Sequence, residues 1–259
     1  MIELKHPIEA IIFDWAGTTV DYGSRAPTNV FIEVFRKNGV EITVAEARGP
    51  MGRTKRDHIV AIATLPRVAA LWSERYGRLP SDIDIDQLYY DFLPLQKEAL
   101  VTGTDVIPGV PDAIERLRCQ GLKIGSSTGY ARELMDIVVP IAARAGYAPD
   151  VVICADDVPS GRPAPWMNFL AAQQLGIYPM DRILVVDDTP IGIEAGLNAG
   201  AITIGVTKTG NSLGLSESEV SQLSPTDLQS RLAMIESDFH AIGAHFTIPS
   251  VADLPDLLH

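Results

Sequence analysis

Short apolar runs alternate with amphipathic segments along much of the chain. Five runs have the length of a buried strand and lie at residues 8–13, 122–125, 151–154, 183–186 and 202–206. Three segments repeat apolar side chains at helical spacing and lie at residues 111–120, 131–144 and 166–175. Strands and helices that alternate in this way predict βαβ units. We therefore expect an α/β fold with a doubly wound parallel sheet.

One long segment interrupts this alternation. From about Ala26 to Gly103, apolar residues recur at helical spacing without a strand-like run, as in IDQLYYDFLPLQKEAL. Gly23 on one side and Gly103 on the other are suited to hinges. We predict an all-helical cap domain at residues 23–103, inserted into a catalytic core of residues 1–22 plus 104–259. In the tail, we expect residues 216–241 to be helical and to be followed by a short strand and a terminal helix.

Composition and charge limit the classes of partner. Hydrophobic residues make up 46% and charged residues 21%, as in ordinary globular proteins. The net charge of −12 argues against a nucleic-acid partner, since such proteins concentrate Lys and Arg in basic patches. Cys119 and Cys154 form no metal-binding or redox motif. No apolar stretch is long enough to span a membrane, so we predict a cytoplasmic protein.

Polar motifs follow several of the predicted strands. DWAGTTVD begins at Asp14, GSSTGY covers residues 125–130, and ILVVDDT contains Asp187 and Asp188. A fourth motif, GRPAPW, places Arg162 just before a predicted helix. Ligands of doubly wound sheets bind at the carboxyl ends of the strands. The glycine and threonines after Asp14 suit a loop whose amides approach an anion, which makes Thr18 a candidate for substrate binding.

Taken together, these ordered motifs resemble the haloacid dehalogenase superfamily over nearly the whole chain. The resemblance implies that Asp14 is a nucleophile and that Arg162 neutralises substrate charge. It also implies that phosphoryl oxygens are bound by Ser126 or Ser127 together with Thr128. Mg²⁺ is the implied cofactor, and its implied ligands are Asp14, Ala16 and Asp188. A bound Mg²⁺ would screen the attacking carboxylate from the phosphoryl charge.

Ala16 is the informative departure from that superfamily. Phosphatases of that superfamily carry a second aspartate two residues after the nucleophile, where it protonates the leaving group. Such general acids typically accelerate a reaction by roughly 10²–10⁴-fold. Here the position is alanine. The run PMGRTKRDH at residues 50–58, together with the first motif, is similar to phosphonoacetaldehyde hydrolases, also called phosphonatases. In that family the lysine that matches Lys55 condenses with the substrate aldehyde, so the carbon leaves as an enamine and needs no acid at position 16.

The same resemblance supplies further candidates for the pocket. Met51 and Gly52 are implied to line it from the cap, and Tyr130 from the core. Schiff-base chemistry needs a neutral amine, whereas a free lysine has a pKa near 10.4, so we expect burial under the cap to lower the pKa of Lys55. His58 lies three residues further along the same helix face, where it would assist proton transfer or remain an ordinary helix-surface histidine.

Two positions differ from the phosphonatase pattern. Ser24 stands where some members have cysteine, and Gly192 stands where others carry a second aspartate, four residues after the metal-binding one. We expect Asp187 to take over part of the role of that aspartate.

Three other functions stay open at this stage. A phosphate-monoester phosphatase would need the acid that Ala16 lacks. A 2-haloacid dehalogenase would act without metal, and an inactive relative would only bind. The phosphonatase resemblance implies a small phosphonate substrate and a homodimer joined through the caps, in which Tyr89, Tyr90 and Phe92 are candidates for helix packing or for the dimer contact.

Overall fold

Six parallel strands form one sheet in the computed structural model, which describes residues 6–258. The strands are β1 Ala10–Phe13, β2 Lys123–Ser127, β3 Val151–Ile153, β4 Ile183–Asp187, β5 Ile202–Val206 and β6 Phe246–Ile248. Their order is β3-β2-β1-β4-β5-β6, which places β1 between β2 and β4. The predicted α/β fold with a parallel sheet is therefore confirmed.

Helices cover both faces of this sheet. They are α6 Val110–Cys119, α7 Arg132–Arg144, α8 Trp166–Leu175, α9 Pro190–Ala199, α10 Glu217–Ser221, α11 Pro225–Ile242 and α12 Leu254–Leu257. Because side chains alternate along a strand, Ile11 and Phe13 of β1 join the apolar cluster that contains α6 and α7. Ile12 faces the other way and packs in a cluster with Met167 of α8. The sheet is thus doubly covered, as its continuous apolar strands require.

An all-helical cap is inserted between β1 and β2. Its helices are α1 Arg25–Lys37, α2 Val44–Arg48, α3 Lys55–Ala63, α4 Pro66–Tyr76 and α5 Asp82–Thr102. These helices enclose an apolar cluster of their own, with Phe31, Phe35, Ile59, Trp72 and Phe92 at its centre. The predicted domain boundaries at 22/23 and 103/104 fall just outside α1 and α5 and stay predictions. Residues 1–5 and 259 of the predicted core lie outside the described residues.

The C-terminal part is largely helical between residues 216 and 241, as expected, and it consists of two helices. The first, α10, ends at Ser221, and α11 begins at Pro225. Proline has no N–H to continue a helix and is favoured in the first turn of a new one. Ser224 caps that new helix by accepting a hydrogen bond from the backbone of Asp227. None of the helices within residues 6–258 combines the length and apolar character needed to cross a bilayer.

Candidate active site

Three buried aspartates meet where β1 and β4 end. Phe13 of β1 is in register with Val186 of β4, and the Asp14 N–H donates to the Val186 carbonyl at 2.9 Å. This pairing brings Asp14 beside Asp187 and Asp188. Each of the three carboxylates offers an oxygen, and these oxygens lie within 4.8 Å of one another. The sequence motifs at the two strand ends therefore form one acidic centre.

Arg162 links two of these carboxylates to the second motif. Its Nη1 lies 2.7 Å from Asp14 Oδ1 and 3.0 Å from Asp187 Oδ2. Its Nη2 donates to the Ser127 carbonyl at 2.9 Å and to Ser127 Oγ at 2.8 Å. The guanidinium is buried, and its planar shape lets it bind several acceptors at once. Arg162 therefore fixes the position of Asp14 and supplies positive charge beside it.

Asp188 has a separate set of partners. Its Oδ1 accepts a hydrogen bond from Thr18 Oγ1 at 3.0 Å, and its Oδ2 accepts one from the Asn211 N–H at 2.7 Å. Burial first, then the negative charge of Asp14, raises the pKa of Asp188 well above its usual value. Burial and the charge of Asp187 likewise raise the pKa of Asp14 to about 7. Ionising Asp14 and Asp188 together is therefore unfavourable unless a further positive charge lies close to them.

A divalent cation fits this donor set. Mg²⁺ prefers oxygen ligands and is commonly bound by one or two carboxylates, with water completing the shell. Asp14 and Asp188 offer such carboxylates, and a cation between them would favour their ionised forms. Of the predicted ligands, Ala16 has no side-chain donor and can contribute only its backbone carbonyl. Asp187 also offers an oxygen to the acidic centre. Its carboxylate already accepts two hydrogen bonds from Thr189 and forms an ion pair with Arg162.

Lys55 approaches the acidic centre from the cap. It is the first residue of α3, which Thr54 caps by accepting a hydrogen bond from the Asp57 N–H. Its Nζ lies 4.5 Å from the centre of the Tyr130 ring and 5.6 Å from that of Phe31. Only 6% of the residue is exposed, and burial lowers its pKa to about 8 against the opposing charge of Asp14. The amine is thereby brought closer to its neutral, nucleophilic form.

Lys55 and Asp14 line the same small cavity. Its wall contains the predicted residues Asp14, Ala16, Met51, Gly52, Lys55, Thr128, Tyr130 and Arg162. It also contains Ser24, Pro27, Gly129 and Thr189. Gly52 approaches Thr189 so closely that a Cβ on it would lie 2.5 Å from Thr189 Oγ1.

Four predicted substrate-binding residues lie away from this wall. Thr18 contacts Asp188 of the acidic centre, and Ser127 contacts Arg162, which lines the cavity. Ser126 Oγ is directed to the neighbouring strand, where it donates to the Val151 carbonyl at 3.0 Å. His58 is buried, with its ring stacked on Phe31 at 3.8 Å between centroids and its Nε2 bonded to the Ala47 carbonyl. The alternative of an ordinary helix-surface histidine at position 58 does not hold, because the residue is buried. Any contact of these four residues with substrate stays a prediction.

Three residues of the site carried no clear signal in the sequence. Thr189 binds Asp187 through both its N–H and its hydroxyl, which the ILVVDDT motif alone does not specify. Asn211 and Arg48 lie in segments without a catalytic motif, and they become relevant only through contacts across the fold.

Comparison with known proteins assigns the family. Residues 8–200 match the family model described as haloacid dehalogenase-like hydrolase. The chain is a member of that family.

Three relatives have names that specify an activity within this family. A phosphonoacetaldehyde hydrolase of Bacillus cereus is 46% identical over 251 residues, which are 97% of this chain and 95% of that protein. A crystal structure of a phosphonoacetaldehyde hydrolase-like protein from Oleispira antarctica superimposes with a TM-score of 0.96 at 39% identity, covering 100% of this chain and 94% of the other. These matches confirm the family resemblance inferred from Ala16 and Lys55.

The third relative is a longer protein. A bifunctional phosphonoacetaldehyde hydrolase/aminoethylphosphonate transaminase of Clostridioides difficile is 44% identical over 251 residues. The match covers 97% of this chain but 40% of that protein. The similarity therefore concerns only one part of the bifunctional relative.

Proposed function

We propose that this hydrolase cleaves the carbon–phosphorus bond of phosphonoacetaldehyde, giving acetaldehyde and inorganic phosphate. The observation that carries the proposal is the pairing of a buried lysine with a buried aspartate on opposite walls of one small cavity. The names of the full-length relatives support the same substrate. Ala16 supports it as well, because no side-chain acid stands there to protonate the oxygen of a phosphate ester.

Lys55 is proposed to begin the reaction as a nucleophile. Its neutral amine attacks the aldehyde carbon, and uptake of one proton from solvent with loss of one water leaves a protonated imine. Burial favours the neutral amine that this step needs, and the Tyr130 ring stabilises the cationic forms that precede and follow it. The imine then provides an electron sink two bonds from phosphorus.

Asp14 is proposed to attack phosphorus while the C–P bond breaks. The electron pair of that bond passes into the imine and gives an enamine on Lys55, and the phosphoryl group becomes an aspartyl-phosphate. Protonation of the enamine and addition of water release acetaldehyde and free Lys55. A second water hydrolyses the aspartyl-phosphate to phosphate and restores Asp14. Arg162 holds Asp14 in place and offsets phosphoryl charge throughout.

Mg²⁺ is the cofactor that we propose, held by Asp14, Asp188 and the backbone carbonyl of Ala16. When bound, it screens the charge between the attacking carboxylate and the phosphoryl group. The chain's own residues do the remaining work: Thr18 and Asn211 orient Asp188, and Thr189 and Arg162 orient Asp187.

An upstream step is also part of the proposal. Phosphonoacetaldehyde is the aldehyde that forms when the amino group of 2-aminoethylphosphonate is removed. The bifunctional relative joins an aminoethylphosphonate transaminase to its hydrolase part. We therefore place this chain in the degradation of 2-aminoethylphosphonate. Cytoplasmic localisation stays a prediction from the sequence.

The direct test is to incubate purified protein with phosphonoacetaldehyde and Mg²⁺ and to measure acetaldehyde and phosphate. We expect equal amounts of both products, no turnover after chelation with EDTA, and recovery when Mg²⁺ is restored. Asp14→Ala should lose turnover entirely. Phosphate release from simple phosphate esters at comparable rates would indicate a phosphatase, and metal-independent release of halide from a 2-haloacid would indicate a dehalogenase.

Lys55 can be tested by trapping. Borohydride added with acetaldehyde should reduce the imine and leave a stable ethyl group on Lys55, which peptide mass spectrometry would locate. Lys55→Arg should lose C–P cleavage although it keeps a positive charge, because guanidinium does not act as a neutral amine in proteins. Lys97→Arg is the matched control, since Lys97 also lies on the cap but pairs with Glu133 at the surface. Modification at Lys97 or Lys123 instead of Lys55 would contradict the mechanism.

A further inference from the structure

Arg48, the last residue of cap helix α2, binds two segments outside the cap helices. Its Nη1 donates to the Gly23 carbonyl at 2.8 Å and to Asn211 Oδ1 at 3.0 Å. Its Nη2 donates to the Gly214 carbonyl at 3.0 Å. Gly23 lies just before α1, where the chain enters the cap, and Asn211 and Gly214 belong to the core loop at residues 207–215 that follows β5. One side chain therefore joins the cap, its entry and a core loop.

The core loop is shaped around this guanidinium. Asn211 Nδ2 returns a hydrogen bond to the Arg48 carbonyl at 3.3 Å, and the Asn211 backbone carbonyl accepts from Nη1 at 3.2 Å. Gly214 leaves room for the group, because a Cβ there would lie 2.7 Å from Arg48 Cζ. A planar fork with five N–H donors satisfies several carbonyls at fixed angles, which the single ammonium of lysine does not.

The same loop contacts a residue of the acidic centre. The Asn211 N–H donates to Asp188 Oδ2 at 2.7 Å, which is the shorter of the two hydrogen bonds that this carboxylate accepts. Asn211 thus binds Arg48 through its side chain and Asp188 through its backbone. Movement of the loop away from Arg48 would withdraw that N–H from Asp188. A single residue therefore links Arg48 to Asp188.

We infer that Arg48 is a positioning residue that couples cap closure to the metal-binding carboxylate Asp188. When the cap closes, Arg48 fixes the loop at residues 207–215, and Asn211 then holds Asp188 in the orientation that binds Mg²⁺. Coupling of this kind is reciprocal, so bound Mg²⁺ also favours the closed cap. The inference rests on the proposed function only in taking Asp188 as a metal ligand, and it is independent of the substrate.

The first measurement is Mg²⁺ affinity without substrate, by titration calorimetry. Loss of groups that orient metal ligands typically weakens metal binding by about 10–100-fold, and we expect Arg48→Met to fall in that range. Arg48→Lys should weaken Mg²⁺ binding nearly as much as Arg48→Met, because lysine retains the positive charge but lacks the planar guanidinium that binds several carbonyls. Arg67→Met is the matched control: Arg67 is a cap arginine that binds Glu46 and the Glu41 carbonyl, both within the cap. Its Mg²⁺ affinity should equal that of the wild type.

A second variant isolates the path through the loop. Asn211→Ala removes the side chain that binds Arg48 but keeps the backbone N–H that binds Asp188 and the loop carbonyls that also bind Arg48. We expect it to weaken Mg²⁺ binding, and we expect Arg48→Met to cause a smaller loss in this background than in the wild type, because part of the link is already broken. Should Arg48→Met fail to fold, Arg48→Lys and Asn211→Ala carry the test. Fully additive losses would contradict the coupling.

Hydrogen–deuterium exchange supplies a readout that does not depend on metal. In metal-free protein, the amides of residues 20–26 and 207–215 should exchange faster in Arg48→Met than in the wild type or in Arg67→Met. Unchanged exchange together with Mg²⁺ affinity within twofold of the wild type would overturn the inference. If the wild type fails to release phosphate from phosphonoacetaldehyde while Arg48→Met still weakens Mg²⁺ binding, the proposed substrate is wrong and the coupling stands.

Discussion

The carboxylate of Asp187 occupies the space in which a side chain at position 192 would begin. A Cβ built on Gly192 would lie 1.9 Å from Asp187 Oδ2 and 2.0 Å from its Cγ. The same carboxylate accepts hydrogen bonds from the Thr189 N–H at 2.8 Å and from Thr189 Oγ1 at 2.7 Å, and it pairs with Arg162. Glycine at 192 and aspartate at 187 are therefore sterically complementary. That Asp187 takes over part of the role of an aspartate at position 192 stays a prediction.

Exchanging these two residues tests that relationship. Gly192→Asp alone should destabilise the protein by about 1–3 kcal/mol, since overpacking costs about that much, and should lower turnover. Asp187→Gly combined with Gly192→Asp should recover stability and part of the activity, because Asp187→Gly removes the carboxylate with which a side chain at position 192 would collide. Urea unfolding and phosphate release would measure both effects. A double variant no better than Gly192→Asp alone would show that the two residues are unrelated.

Asp188 and Asp187 should differ in their effect on metal binding. Asp188→Asn removes a proposed ligand charge and should weaken Mg²⁺ binding strongly or abolish turnover. Asp187→Asn should weaken Mg²⁺ binding less, because Asp187 is already engaged by Thr189 and Arg162. Calorimetric titration with Mg²⁺ would rank the two variants. The reverse ranking would mean that Asp187 is the direct ligand.

The pH dependence of imine formation should report the pKa of Lys55. Burial holds this pKa near 8, below its ordinary 10.5, so the reactive neutral amine is the major form above that pH. The rate at which cyanoborohydride traps acetaldehyde on Lys55 should therefore rise about tenfold per pH unit below pH 8 and should level off above it. The modified Lys55 peptide would be counted by mass spectrometry. A midpoint near 10.5 would show an ordinary exposed lysine.

Tyr90 should contribute to the dimer proposed through the caps. It lies on α5 with 72% of its surface exposed. Ile83 and Val101 of the same helix are also exposed, at 80% and 62% of their surface. These residues fall on one face of the helix, because their spacings of 7 and 11 residues are close to whole turns. Tyr90→Glu should shift the mass measured by light scattering from dimer towards monomer, whereas Glu98→Ala on the same helix should not. A monomeric wild type would contradict the proposal.

The sequence predicted the sheet and the acidic centre well, because both depend on local patterns. An apolar run followed by Asp14 or by Asp187 and Asp188 places these residues at strand ends whatever the details of packing. The break between α10 and α11 is also encoded locally, in Ser224 and Pro225.

Contacts between distant segments were not predictable in this way. The bond between Arg48 and Asn211 joins residues 163 positions apart, and neither belongs to a motif that marks it for chemistry. His58, in contrast, belongs to a recognisable motif, but its surroundings were not predictable either. Its spacing from Lys55 indicated a shared helix face, but the Phe31 ring and the Ala47 carbonyl that surround it come from other helices of the cap. Only the packed structure reveals these environments.

The separate apolar cluster of the cap has an evolutionary consequence. Its buried members, such as Phe31, Ile59 and Phe92, are distinct from the buried residues that pack around the sheet. Substitutions can therefore accumulate in the cap without disturbing the strands that carry Asp14 and Asp188. Since Lys55 is supplied by a cap helix, selection for a different carbonyl compound can reshape one wall of the cavity while the phosphorus chemistry on the other wall is inherited unchanged.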